Sequence, residues 1–342
     1  MTFSDPVRTQ MPPVPELVLP PDVESWNRQR EVLRATLWKM LGDLPPRPRV
    51  PEVRVVERSE RDGVRVERFE LDNGAGVQVP GLLVLPASAR GRLPGILYHH
   101  WHGGEYDGGK KEIFEARHTP GVPAIELAKR GYAVMAIDAY CFGERNGKGP
   151  GSEEQGGAGE LTASKFNLWF GRSLWGMIVR DDLVALDYFA SRPEVDAGRI
   201  GATGISMGAT RTWWLMALDE RVRAGVAVAC LTRYQDLIEA SLLKAHGIYY
   251  YVPGMLQHFD TEAVISLIAP RAGLFLTGDQ DGGSPLAGIR KIEVVARQVY
   301  GLLGAASRFE SVVYPGVGHE YTPDMWRRML SWMDEHLAKG GF

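Results

Sequence analysis

Arg199-Ile-Gly-Ala-Thr-Gly-Ile-Ser-Met-Gly-Ala209 is the stretch on which the reading of this chain turns. An apolar run from Ile200 to Ile205 stops at Gly204-Ile205-Ser206-Met207-Gly208, and a segment rich in Ala, Trp, Leu and Met follows over 209–218. A Gly-x-Ser-x-Gly pattern between a strand and a helix has a mechanical meaning. The sharp turn holds the serine in a strained backbone conformation and pushes its hydroxyl out at the end of the strand. Gly204 and Gly208 are expected because a side chain at either position would meet the neighbouring strand or helix. Met207 opens the helix, so its N–H lies at the positive end of the helix dipole, where a developing negative charge would be held. Ser206 is therefore a candidate nucleophile, set against the plainer reading of a glycine-rich turn that happens to carry a serine.

A serine hydroxyl needs a base near neutral pH to take its proton and return it, and an acid to orient that base. Two downstream segments supply them. Arg271-Ala-Gly-Leu-Phe-Leu-Thr-Gly278 reads as a buried strand running into Asp279-Gln-Asp281-Gly-Gly. Arg308-Phe-Glu-Ser-Val-Val-Tyr-Pro315 reads as the next strand, running into Gly316-Val-Gly-His319. The gaps of 75 residues from Ser206 to Asp281 and 38 from Asp281 to His319 each leave room for helix-plus-strand units. His319 is the expected base. Two aspartates compete for the acid. Asp281 is favoured because it lies further into its loop, where a carboxylate reaches across to the histidine. Asp279 is then expected to cap loop backbone.

A second oxyanion donor is sought in the loop after an earlier strand. Pro94-Gly-Ile-Leu-Tyr98 runs into His99-His-Trp-His-Gly-Gly104, and the backbone N–H of His102 is the candidate. Three histidines in four residues also raise metal binding, with His100 and His102 on one face of a strand. No further ligand cluster accompanies them, so no metal is expected.

The 342 residues are 44% hydrophobic, enough for one large core. A net charge of −3 without a basic stripe gives nucleic-acid binding no electrostatic support. The two cysteines, Cys141 and Cys230, each end an expected strand far apart in sequence and read as buried free thiols. Met1-Thr-Phe-Ser-Asp-Pro-Val-Arg8 has no apolar core of a secretory signal, and no apolar run is long enough to span a membrane. A cytoplasmic location follows as the expectation, and nothing speaks against a homo-oligomer.

Residues 1–21 carry six prolines and read as an extended arm. Residues 22–42 read as an amphipathic helix, and Pro45, Pro46 and Pro48 as a linker, which makes 1–50 an arm ahead of a catalytic domain over 51–342. Alternating runs at 53–58 and 64–71 around Arg61-Asp-Gly63 signal a hairpin, and Val77–Leu85 a third strand. Strands are then expected at 95–100, 133–138, 200–205, 223–230, 272–278 and 309–314, with helices at 121–130, 174–191, 209–218, 285–303 and 323–338. This is an α/β class: a mostly parallel sheet of eight strands or slightly more, with helices on both faces. Residues 143–159 hold seven glycines and read as a loop, beside the site or simply solvated. Residues 231–262 concentrate Tyr249, Tyr250, Tyr251, His258 and Phe259 just after the strand that follows the serine's helix. They are expected as a small cap or lid facing substrate, with satellite core as the alternative.

With Ser206, Asp281 and His319 in that order, the chain resembles the dienelactone-hydrolase-like and acetyl-xylan-esterase-like branch of the α/β-hydrolases. Arg180-Asp-Asp-Leu-Val-Ala-Leu-Asp-Tyr-Phe-Ala-Ser-Arg-Pro-Glu-Val-Asp-Ala-Gly-Arg-Ile-Gly201 carries the likeness, with Gly131-Tyr-Ala-Val-Met-Ala-Ile-Asp138, Ile268-Ala-Pro-Arg271 and Gly316-Val-Gly-His319. The resemblance spans roughly residues 75–340. It implies the α/β-hydrolase fold, a serine esterase of small or sugar-linked esters, a small cap and no cofactor. It also maps the second oxyanion N–H to His102, taking His100 as the histidine of the family's His-Gly pair. Trp101 stands where that family usually has glycine, and Ala209 where a further glycine is common, so the acyl pocket is expected to differ. Trp101, Tyr249, Tyr250, Tyr251 and His258 are the expected substrate contacts. A serine peptidase of the prolyl-oligopeptidase type and a catalytically silent binding protein are the alternatives. The first usually carries a large N-terminal gating domain, for which about 90 residues ahead of the core strand are too few.

Overall fold

The computed structural model describes residues 11–150 and 154–338. The expectations placed on residues 1–10 (the start of the arm, without a secretory segment) and on 151–153 lie outside the described residues. Among the described residues the strands are β1 (Val53–Arg61), β2 (Val64–Asp72), β3 (Gln78–Pro86), β4 (Leu93–His99), β5 (Ala133–Ile137), β6 (Val195–Ile205), β7 (Val222–Val228), β8 (Ala272–Gly278) and β9 (Phe309–Tyr314). They form one nine-stranded sheet in the order β1-β2-β3-β5-β4-β6-β7-β8-β9. β1, β2, β3 and β5 pair antiparallel in turn, and every pair from β5 to β9 is parallel. The hairpin between β1 and β2 turns through Asp62 and Gly63, both at positive φ, as a tight turn matched to strand twist requires.

The helices are α1 (Val23–Leu41), α2 (Pro123–Lys129), α3 (Gly156–Trp169), α4 (Leu174–Ser191), α5 (Met207–Leu218), α6 (Tyr234–Glu239), α7 (Thr261–Ser266), α8 (Leu286–Leu302) and α9 (Pro323–Met333). The parallel strands are buried on both faces, as β5 and β8 show along their whole length. One face packs against α1, α4, α5 and α8, the other against α2 and α9. α1 starts where Asp22 accepts the Ser25 N–H and sinks Trp26, Leu37 and Leu41 into the first of these cores. Among the described residues no helix is long and apolar enough to cross a membrane.

The sheet has nine strands where eight or slightly more are expected, and the expected helices recur within a few residues. The glycine-rich loop expected over 143–159 needs correction at its end. Residues from Gly156 onward begin α3, which runs to Trp169. Glycines at 156, 157 and 159 disfavour a helix by about 1 kcal/mol each. Burial of Glu160, Ala163, Ser164 and Asn167 on one side of α3 overrides that preference.

The switch in strand order lies at β4, with β5 on one side and β6 on the other. In open α/β sheets such a point opens a crevice beyond the carboxyl ends of the strands. The loops after β4, β6, β7, β8 and β9 all emerge there.

Candidate active site

Ser206 sits between β6 and α5 with φ 61° and ψ −121°, a conformation that L residues rarely adopt. The two flanking glycines are there for room. A Cβ on Gly204 would lie 2.3 Å from the His99 carbonyl oxygen of β4, and one on Gly208 only 2.0 Å from it. The serine turn is thus pressed against the end of β4. Met207 is the first residue of α5, so its N–H is among those that a helix leaves without an internal partner.

His319, on the loop after β9, brings Nε2 to 2.9 Å from the Ser206 Oγ and Nδ1 to 2.9 Å from Asp281 Oδ2. Asp281 also accepts the Gly283 N–H at 2.9 Å. Burial alone would raise the Asp281 carboxyl. The hydrogen bond and charge of His319, with the Gly283 N–H, outweigh burial and hold it below the usual value. Asp279 does not reach the histidine. It accepts the Gly316 N–H at 2.8 Å and pins the start of the loop that carries His319. Of the two competing aspartates, only Asp281 meets His319.

The loop after β4 is held peptide by peptide. The Ala139 N–H donates to His100 Nε2 at 3.1 Å, so His100 Nδ1 carries the proton and donates to the Trp101 carbonyl at 2.8 Å. In a trans peptide the N–H points opposite to the C=O. The grip on the Trp101 carbonyl therefore aims the N–H of His102 away from His100. Burial, with the Arg211 charge, pushes His100 well below the usual histidine range, which matches this neutral tautomer. His99 bonds Thr212 Oγ1 instead, at 3.0 Å. His102 accepts the Gly104 N–H on Nδ1 and donates from Nε2 to Glu160 at 2.8 Å. The three histidines thus face three different partners. Among the described residues no group of three or more His, Cys, Asp or Glu is arranged to hold a metal ion.

Ser206, Asp281 and His319 open into a cavity of about 630 Å³. Its walls come from Trp101, His102 and the two glycines after it, from the Leu242–Gly247 stretch with Tyr249, and from Cys230. The Trp101 ring stacks on His118 with centroids 3.8 Å apart and lies 6.3 Å from the His319 ring. Tyr249 stacks on His102 at 4.7 Å. Of the segment 231–262, Leu242, Lys244 to Gly247 and Tyr249 line this cavity. His246 within it holds the Gly283 carbonyl at 2.9 Å, next to Asp281. The expected contacts at Tyr250, Tyr251 and His258 are corrected: none of the three lines this cavity. Tyr250 is buried between His246 and Tyr234, and the Tyr251 hydroxyl donates to the Leu243 carbonyl. Consecutive tyrosines on a short 3₁₀ turn point different ways, so only one of them faces the serine. Glu112 and Glu160, which brace the loop after β4, carry no sequence signal, since each is an isolated acid in a segment without a motif. A larger cavity of about 900 Å³, lined in part by Tyr140, Phe166 and Phe170, holds no serine–histidine pair.

The chain is 39% identical over 288 residues to "Putative hydrolase YtaP" of Bacillus subtilis (strain 168), covering 84% of this chain and 92% of that one. It is 27% identical over 276 residues to a "Putative carboxymethylenebutenolidase" of Yersinia pestis, covering 76% and 85%. Its fold is like that of a solved "putative acetyl xylan esterase" from Bacteroides fragilis, with a TM-score of 0.69 at 18% identity, over 85% of this chain and 76% of that one. The model of the Abhydrolase family matches residues 15–315, so the sheet, the serine turn and the loop after β8 all fall inside the match, and the chain belongs to that family of α/β-hydrolases.

Proposed function

We propose that this protein is a serine carboxylic ester hydrolase that works through an acyl-enzyme. The observation that carries the proposal is the continuous hydrogen-bonded chain Ser206–His319–Asp281, with both contacts at 2.9 Å, opening into a cavity at the carboxyl ends of the strands. Ser206 Oγ attacks the ester carbonyl while His319 Nε2 takes its proton. The carbonyl electron pair moves onto oxygen, and the N–H groups of Met207 and His102 hold the oxyanion. As the intermediate collapses, His319 returns the proton to the departing alcohol oxygen. Water, deprotonated by His319, then attacks the acyl-enzyme carbonyl; the bond from the acyl carbon to Ser206 Oγ breaks, His319 gives the proton back to that oxygen, and the acid leaves. Asp281 keeps His319 in the right tautomer and stabilises the imidazolium that forms.

The cavity supports small or sugar-linked esters. Its aromatic walls, Trp101 and Tyr249, offer flat surface for a ring, and its mouth is open to a polar leaving group. The names of the relatives point the same way, to lactone and acetyl-ester chemistry.

A fluorophosphonate probe tests the mechanism, because it phosphonylates only an activated serine. Covalent labelling of Ser206 and turnover of short p-nitrophenyl esters and acetylated sugars are the expected results. Ser206→Ala should remove the label and lower kcat by on the order of 10⁶ while leaving the fold intact. Activity of the alanine variant within tenfold of the parent would sink the serine mechanism.

A further inference from the structure

Glu112 lies on a 3₁₀ turn, Gly109–Phe114, beneath the loop after β4, and is only 4% exposed. Its two oxygens are both engaged by that loop and its strand. Oε1 accepts the Tyr98 hydroxyl at 2.6 Å, and Oε2 accepts the Trp101 N–H at 2.9 Å. Among the described residues no Lys, Arg or His pairs with it. A buried carboxylate without a cation is costly and is uncommon unless something depends on it.

What depends on it is a peptide plane. The Trp101 N–H belongs to the peptide just before the one that carries the His102 N–H. His100 grips the carbonyl of that second plane. With Glu112 on the first plane and His100 on the second, successive peptide units are fixed, and little freedom is left in the direction of the His102 N–H. The loop has room for this path because Gly103 is at φ 47° and tucks under the Trp101 ring, where a Cβ would lie 2.1 Å from an indole carbon.

We propose that Glu112 is a positioning residue for the ester hydrolysis: by holding the Trp101 N–H it aims the His102 N–H at the oxyanion. This inference rests on the serine-esterase reading above. Glu112 touches neither substrate nor Ser206, and it acts only through the loop.

The carboxyl group that does this titrates near neutrality. Burial raises it to about 7, against the pull of its hydrogen bonds from Tyr98 and Trp101. The ionisable groups that face it are Tyr98 of β4, and the nearby acids Glu115 and Glu105, which raise it further. Tyr321 lies behind Tyr98. Lys110, on the same turn, is taken up by Asp138 and Glu144. Above about pH 7 the ionised group accepts both bonds with charge assistance. Below it, the protonated group must turn one oxygen into a donor, and its hold on the Trp101 N–H weakens.

Two variants and one spectroscopic probe test the proposal. Glu112→Ala leaves the Trp101 N–H buried and unpaired. It should lower kcat by roughly 10- to 100-fold, toward the loss of one oxyanion donor, with KM within about threefold. Glu112→Gln keeps an amide oxygen for the Trp101 N–H. It should restore kcat to within about fivefold of the parent and remove one ionisation from the acid limb of kcat against pH. The backbone amide resonance of Trp101, followed in the full-length protein, should titrate with a midpoint near 7 in the parent and stay fixed in Glu112→Gln. If Glu112→Ala does not fold, the glutamine variant and the amide titration decide alone. A Trp101 amide that does not move between about pH 5.5 and 8.5, or a glutamine variant with the parent's acid limb, overturns the proposal. A titrating amide in a protein that neither labels nor turns over esters would instead overturn the serine-esterase reading and leave Glu112 as a holder of the loop only.

Discussion

Ser206 and its neighbours show how a few backbone demands hold a strained turn in place. The serine's strained φ is tolerated because Ser206 N–H bonds the Val228 carbonyl and Ser206 O accepts the Thr210 N–H, while two glycines let β4 approach. The aspartates after β8 divide their work by two residues of chain. Asp281 reaches over to His319, and Asp279 stays on the backbone of the neighbouring loop. Asp281→Asn should therefore lower kcat by about 10⁴, the scale found when a triad acid is neutralised and the base is left in the wrong tautomer. Asp279→Asn keeps an amide oxygen for the Gly316 N–H, touches neither His319 nor Ser206, and should cost far less. Single-turnover acylation rates for both variants check this, and a reversed order of severity would move the acid to Asp279.

At the scale of elements, α4 shows how a run of charge becomes interior scaffolding. Arg180, Asp181 and Asp182 are all about 1% exposed. Arg180 donates to the carbonyls of Pro45 and Pro46, Asp181 accepts from Arg145 and Asn73, and Asp182 holds Arg211 of α5 through two bonds of 3.0 and 2.6 Å. Through Arg211 this network braces the helix that Ser206 starts. The segment 231–262 is tied down in the same way, by His246 on Gly283 and by Thr232 on Gly283 and Ser284. Within it, Tyr249 is the tyrosine that lines the serine's cavity. Tyr249→Ala should change the ratio of kcat/KM between a sugar acetate and a short p-nitrophenyl ester by about tenfold, equal to ~1.4 kcal/mol of selective contact. Tyr251→Ala should leave that ratio within about twofold, since its ring lies outside the cavity. Equal effects of the two variants would remove Tyr249 from the substrate wall.

At the scale of the molecule, α1, which precedes the sheet, is part of the core. Trp26, Leu37 and Leu41 of α1 are fully buried among residues of α4 and α5, and Arg30 and Arg34 of α1 both reach Glu220. Trp26→Ala should therefore destabilise the whole fold by about 3–5 kcal/mol, the usual cost of emptying a large aromatic site. A urea titration that follows the sheet by circular dichroism reads this out. An unchanged midpoint would mean that α1 is an appendage, separable from the sheet.

The sequence by itself determined the local frame. Periodicity placed the parallel strands and their helices, since fully buried strands and amphipathic helices leave different spacings of apolar residues. The glycine pair around Ser206 announced a turn that only small residues permit. Chain order placed an acid and a base at later strand ends. The tertiary structure decided everything that depends on which residues meet across long separations. It separated Asp281 from Asp279, because the two differ in reach and not in type. It turned Tyr249 toward the serine and Tyr250 and Tyr251 away, because three adjacent side chains on a tight turn cannot share one direction. It made a helix of the glycine-rich stretch at Gly156, because burial of Glu160 and its neighbours outweighs propensity. It also brought Glu112 to the Trp101 N–H and Glu160 to the His102 ring, contacts of isolated acids with the loop after β4 that no local pattern records.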